Sequence, residues 1–366
     1  MSQKEASSLY RNVAILARLL AGDDEAARAS LAADLPPPGD FLRFVERHYL
    51  FWYLVGQLDA SGLRDLFPVA ELTRLERASE ERRAKVDRLV EELDRLWLSF
   101  GSRGIDVVLL KGPALDQRFY GGEGRRAFFD MDLLVRAEQV PAAERLLVEL
   151  GYERRSIVLL SRRLTMWAAH GFDFARDGLA LDLHWRAAAH PSYRIDTTRL
   201  LRGGGIYRSS RAEISIPSDE EMLFLHLLSL FRDLYRGGAR IRSFVDIHTM
   251  LDALDARIDW PAFWAERRKE RTFRVCQTIL GMFLTLFEAD ERFPRAAAGL
   301  LPQHRRCSVE EIAALVEVRE SAIRNKLWAL RVFECSVPRS LAYWAISLPF
   351  RLATYRAARP PVPKPL

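Results

Sequence analysis

The chain has 366 residues, a formal charge of +6, 49% hydrophobic and 28% charged residues, which suits a globular core in two or three domains and excludes a low-complexity or fibrous chain. Its three cysteines, Cys276, Cys307 and Cys335, are odd in number and lack Cys-x-x-Cys spacing. That excludes a disulfide framework and a thiolate zinc site, and points to a reducing, cytoplasmic setting. The N-terminus does not read as a signal peptide, and no run of about 18 apolar residues calls for a membrane span.

Residues 1–78 read as an N-terminal helical region, broken at "LPPPGD" (35–40). The clearest helix covers about 79–100, where Val86, Leu89, Val90, Leu93, Leu96, Trp97 and Phe100 form one apolar stripe. Residues 79–215 read as an α+β domain built on a small mixed β-sheet. "IDVVLL" (105–110) has the β-branched, apolar character of a buried strand, and Gly112 and Pro113 turn the chain into a helix. "DMDLLV" (130–135) is a second strand, and a compact helix follows from Pro141 to a stop at Gly151. Asp177-Gly178 predicts a two-residue hairpin between alternating arms, with Leu181, Leu183 and Trp185 on one face and Asp182 and His184 on the other. Residues 216–335 return to helix, opened by Ser218 and Glu221 as a capping box. Residues 336–366 are apolar, then basic and proline-rich. They either dock on the protein's own helices or make a weak membrane-surface contact.

Asp130 and Asp132 share a strand face about 6.5 Å apart. If the Asp182 strand lies alongside, three carboxylates project from one surface, a hard oxygen set suited to Mg²⁺ or Mn²⁺. A solvated acidic strand face is the plainer alternative. Lys111 and Gly112, ahead of a helix N-terminus, suit a phosphate contact or an ordinary turn. Arg126 either neutralises phosphate or clamps Asp130. His184 is a ligand or a packed strand-end histidine. Asp246 is a general base or an ion-pair partner of Arg242.

The run "VVLLKGPALDQRFYGGEGRRAFFDMDLLV…LLVELGY…LALDLHW" resembles the uncharacterised nucleotidyltransferase family of the DNA-polymerase-β-like superfamily. The matching positions include Lys111, Gly112, Tyr120, Arg126, Asp130, Asp132, Gly151, Tyr152, Asp182, His184 and Trp185. The resemblance covers roughly residues 80–265 and implies transfer of a nucleoside monophosphate from NTP to an acceptor, with Asp130, Asp132 and Asp182 on two Mg²⁺. The acceptor, whether small molecule, RNA or protein, stays open. Where the wider superfamily has Gly-Ser, this chain has Gly112-Pro113, which removes a hydroxyl and an N–H. Two competing expectations are a catalytically inactive nucleotide-binding or sensing protein on the same fold, and a basic helical binder of nucleic acid or membrane surfaces.

Overall fold

The computed structural model describes residues 3–33, 38–122, 124, 126, 128–155, 161–188, 190, 192–302, 307–317, 322–334, 338 and 340–345. Four helices come first: α1 (Gln3–Ala21), α2 (Asp24–Ala33), α3 (Pro38–Arg47) and α4 (Phe51–Ser61). The fifth, α5 (Val69–Ser102), is 34 residues long and buries Leu72, Leu75, Val86, Leu89, Leu93, Leu96 and Phe100. It begins ten residues before the expected start, because 69–78 is rich in Ala, Glu, Arg and Leu and Pro68 stands at the N-cap. Position 78–79, expected as a boundary, therefore lies inside one continuous helix.

The α+β part runs β1 (Val107–Leu109), α6 (Pro113–Tyr120), β2 (Asp130–Val135), α7 (Val140–Glu149), β3 (Glu153–Arg154), α8 (Arg162–Ala168), β4 (Gly171–Arg176), β5 (Leu179–His184), α9 (Thr197–Leu201), β6 (Gly205–Arg208) and β7 (Glu213–Ile216). The main sheet has strand order β1-β2-β5-β4-β3 and is mixed, with β2–β5 parallel and the other pairs antiparallel. Asp177 and Gly178 both take positive φ, +50° and +78°, as the two-residue turn between β4 and β5 requires. The β6–β7 pair, which sequence periodicity left unmarked, forms a separate two-stranded sheet.

The C-terminal helices named among the described residues are α10 (Asp219–Arg236), α11 (Ile241–Leu254), α12 (Trp260–Lys269), α13 (Phe273–Phe287), α14 (Pro294–Ala298), α15 (Val309–Glu317) and α16 (Ala322–Val332), with α11 packed on α6 of the sheet domain. The Ser218 side chain accepts from the Glu221 N–H and starts α10. α13 is mostly apolar and buried at every position but Arg274 and Thr285, as suits a central helix. Buried apolar side chains form one cluster from Leu9 to Phe333. No helix among the described residues is long and apolar enough to cross a membrane. Residues 346–366, most of the tail expected to dock or to touch a membrane surface, lie outside the described residues, as does Cys335. Cys276 and Cys307 are free thiols.

Candidate active site

β1 delivers Lys111 to the edge of the sheet. The Leu110 N–H donates to the Asp132 carbonyl at 2.9 Å, which keeps the chain in register one residue past the strand. The Lys111 ammonium then lies 3.1 Å from Asp132 Oδ1. Gly112 turns the chain at φ +62°, ψ −111°, a region that a side chain disfavours. A Cβ there would also sit 3.4 Å from the Asp130 carbonyl. Pro113 opens α6, where its missing N–H costs nothing. The Asp116 carboxylate accepts from the Gly124 and Arg126 N–H groups at 3.1 and 2.8 Å, folding the glycine-rich segment back onto α6.

Strand register assembles the carboxylates. Asp132 on β2 stands opposite Asp182 on β5, and Asp182 stands opposite Asp173 on β4. Three aspartates thus form a row across three adjacent strands, with Asp130 two residues along β2 on the same face. Ligand atoms of Asp132, Asp182 and His184 all lie within 4.8 Å of one another. Asp130 falls outside that tightest group, and His184 enters it, its Nε2 2.9 Å from Asp132 Oδ1.

The electrostatics divide the acids. Burial works to raise the Asp132 carboxyl, but Lys111 and His184 outweigh it and hold the group far below the usual carboxylate range. Burial, and then the Asp132 charge, push Asp130 up. Asp182 is driven well above its ordinary value by burial first, then by Asp132, Asp173 and Asp130. A divalent cation fits this donor set, since two carboxylates and an imidazole converge in a part of the sheet where negative charge is under-compensated. His184 Nδ1 is buried with no hydrogen-bond partner among the described residues, so the ring orientation is set by the Nε2 contact to Asp132 and by packing. Gly171 supplies that packing: a Cβ there would lie 2.8 Å from His184 Nδ1 and 2.9 Å from the Leu183 carbonyl. The His170 ring sits 5.2 Å from that of His184.

Arg126 and Asp246 behave differently from their sequence-level expectations. The Arg126 guanidinium meets neither open phosphate space nor Asp130. It pairs in a fork with Asp246, Nε to Oδ1 and Nη2 to Oδ2, both at 2.9 Å. Tyr120 donates to the same carboxylate at 2.7 Å. Asp246 makes its close ion pair with Arg126, with Arg242 adding a weaker attraction, and at 1% exposure it is sealed from any acceptor. Burial would raise its carboxyl, yet Arg126 and His226 hold it at about 2, which removes it as a base near neutrality. The pair fastens α11 to the turn before β2.

Asp173 and Arg232 near the site were missed, and Arg242 was named only as a partner of Asp246. Asp173 could have been found by counting back from the Asp177-Gly178 turn, which pairs 176 with 179 and hence 173 with 182. Arg232 on α10 and Arg242 on α11 both attract the Asp130 carboxylate from the helical side. Their only sequence mark is a basic residue within an apolar helix.

Residues 36–288 match the family described as "Uncharacterised nucleotidyltransferase". Among curated proteins none matches the chain. The matched segment holds α5, the whole sheet domain and the helices α10 to α13 that bring Arg232 and Arg242 to the acids. The chain therefore belongs to the uncharacterised nucleotidyltransferase family, a membership that supports nucleotidyl transfer as its general chemistry.

Proposed function

We propose that the protein is a divalent-cation-dependent nucleotidyltransferase that moves a nucleoside monophosphate from NTP to an acceptor, a small molecule, RNA or protein. The observation that carries this reading is the convergence of Asp132, Asp182 and His184 within 4.8 Å beside Lys111. Asp132 and Asp182 would hold the cation, with Asp130 adding an oxygen donor on the same face. When bound, Mg²⁺ or Mn²⁺ supplies charge neutralisation at phosphate and lowers the pKa of the attacking group. The imidazole in the set favours Mn²⁺ more than an all-oxygen site would.

Lys111 brings positive charge to the place where the Asp132 side of the sheet meets the start of α6, and the positive end of α6 adds to it. Together they suit an incoming phosphate. Asp130, whose carboxyl is pushed up by burial and by Asp132, is suited to take the acceptor's proton. The buried free thiol of Cys276 suits a reducing, cytoplasmic setting. Pro113, in place of a hydroxyl-bearing residue, favours a second reading in which nucleotide is bound and sensed without turnover.

Pyrophosphate release, measured with each NTP in Mg²⁺ or Mn²⁺, tests the proposal. Release by the wild type and none by an Asp130→Ala, Asp132→Ala double variant is expected. Undiminished release by that variant would overturn the assignment, and nucleotide binding without release would favour sensing.

A further inference from the structure

A cleft lies on the α6 side of the Gly112 turn, between α5, α6 and β6, and holds about 340 Å³ of free space, within the range of small-molecule sites. Pro113 lines it, as does Phe128, two residues ahead of Asp130. A Cβ on Gly112 would sit 3.5 Å from Phe128 Cβ and 3.4 Å from the Asp130 carbonyl, so the cleft begins where the carboxylate row ends. Val86 and Val90 on α5, with Phe128, give it apolar walls. The same helix brings exposed Arg83, Asp87 and Glu91 to it, one turn apart, and none of the three makes an ion pair among the described residues. Asp87 and Glu91 are four apart, a like-charge spacing that costs a helix stability unless a cation lies between them. The other cation of the lining, Arg208, is taken by Glu213 at 3.0 Å. Tyr207 on β6 lines the cleft at only 5% exposure, and its hydroxyl makes no hydrogen bond among the described residues. A buried phenol ordinarily has a partner.

We propose that this cleft binds a compact hydroxylated amine, whose ammonium ion lies against Asp87 and Glu91 and whose hydroxyl meets Tyr207. Burial pushes the Tyr207 phenol up to about 12, and Asp94 and Asp116 push the same way. The group therefore keeps its proton and sits in a negative field, able to donate to a ligand hydroxyl or accept from it. Asp116 is itself a buried lining carboxylate. A phosphate or carboxylate ligand would meet these acids unfavourably. A bare metal ion would leave the walls of Val86, Val90 and Phe128 without a contact. An amine on a sugar-sized ring satisfies both the charge and the walls, and the free space holds one such ring. That this amine is the acceptor rests on the transfer reading; that the cleft binds it does not.

The test is a ligand-observed NMR titration of the full chain, without divalent cation or nucleotide. The probes are glucosamine and 2-aminocyclohexanol, their N-acetyl forms, and the four ribonucleosides. The wild type is expected to bind at least one amine, about fivefold or more tighter than its neutral N-acetyl form, with affinity falling as salt rises. Asp87→Asn and Glu91→Gln should each weaken the amine by about threefold or more and leave the N-acetyl form unchanged, as exposed carboxylates acting on a charge would. Tyr207→Phe should weaken both forms alike, by about fivefold, since it removes a hydrogen bond and no charge. Thermal unfolding shows which variants are folded; if Tyr207→Phe is not, the two surface variants decide. Failure to bind either amine, equal binding of the N-acetyl forms, or folded Asp87 and Glu91 variants that bind amine as the wild type does would overturn the proposal. Ribonucleosides bound in place of the amines would also overturn it and give the cleft to the donor. No turnover is measured, so absence of nucleotidyl transfer would leave this inference standing, and the reverse also holds.

Discussion

Replacing Asp182 with asparagine keeps the shape of the side chain and removes one charge from the acidic row. The Asp132 and Asp182 ligand atoms lie within 4.8 Å; at that separation two unit charges in a protein-like dielectric of about 20 repel by about 3.5 kcal/mol. Lys111 offsets part of this, so the net gain in stability of the cation-free Asp182→Asn variant should be about 1–2 kcal/mol. The pH dependence follows from the direction of the shift. The folded Asp182 carboxyl lies well above its unfolded value of about 3.9. Its contribution is therefore fully present in acid and is lost as pH rises through the folded value. Wild-type stability in chelator should fall with rising pH, and the asparagine variant should show a flatter profile. Adding Mn²⁺ at about 100 times its dissociation constant should restore about 2.7 kcal/mol to the wild type and little to the variant. Urea denaturation across pH 4–8, with and without Mn²⁺, reads all three effects. A variant less stable than the wild type at pH 8 in chelator, or one that gains equally from Mn²⁺, would refute the reasoning.

Asp246→Asn should cost about 3–5 kcal/mol in chemical denaturation, because Arg126 would be left buried without its carboxylate, and Tyr120→Phe about 1 kcal/mol. The Asp246 carboxyl is held at about 2, so the stability it confers is present above its unfolded value of about 3.9 and is lost as pH falls through about 2. An Asp246→Asn protein with a wild-type unfolding midpoint would show that the fork is dispensable. Gly171→Ala should cost about 1–3 kcal/mol and blunt the Mn²⁺ response. Its Cβ would meet the His184 ring, which can turn, and the Leu183 carbonyl, which the β4–β5 ladder holds in place. Wild-type Mn²⁺ stabilisation in that variant would detach His184 from the cation.

Local chemistry made parts of this fold readable. "DMDLLV" became β2 residue for residue, because a short, largely apolar run of this length reads as a buried strand. Asp177-Gly178 announced its hairpin, since few dipeptides accept two successive positive φ values. Ser218 with Glu221 likewise fixed the start of α10. The parallel join of β2 to β5 was not legible from local pattern, because it depends on pairing between residues about fifty apart. Strand faces suggested that Asp182 joined Asp132 only if the two strands were neighbours, and the family resemblance supplied that condition. The Arg126–Asp246 fork spans 120 residues. No helical spacing encodes such a contact, so local pattern offered Asp246 only Arg242, four residues away, whose attraction is the weaker one. Arg232 and Arg242 were hidden for the same reason: helix packing, not sequence distance, brings them over the acids.

The two-residue turn at Asp177-Gly178 has a consequence for how this centre can vary. Alignment across β4 and β5 is an integer quantity. Lengthening or shortening the connection by one position would rotate Asp173 or Asp182 to the opposite side and present phenylalanine or leucine in its place. Chemistry at the row can be tuned by swapping side chains, but the count of residues from 173 to 182 admits no gradual change. A loop-length variant there should lose the cation while keeping a hydrophobic sheet, a clean way to separate assembly of the centre from folding of the chain.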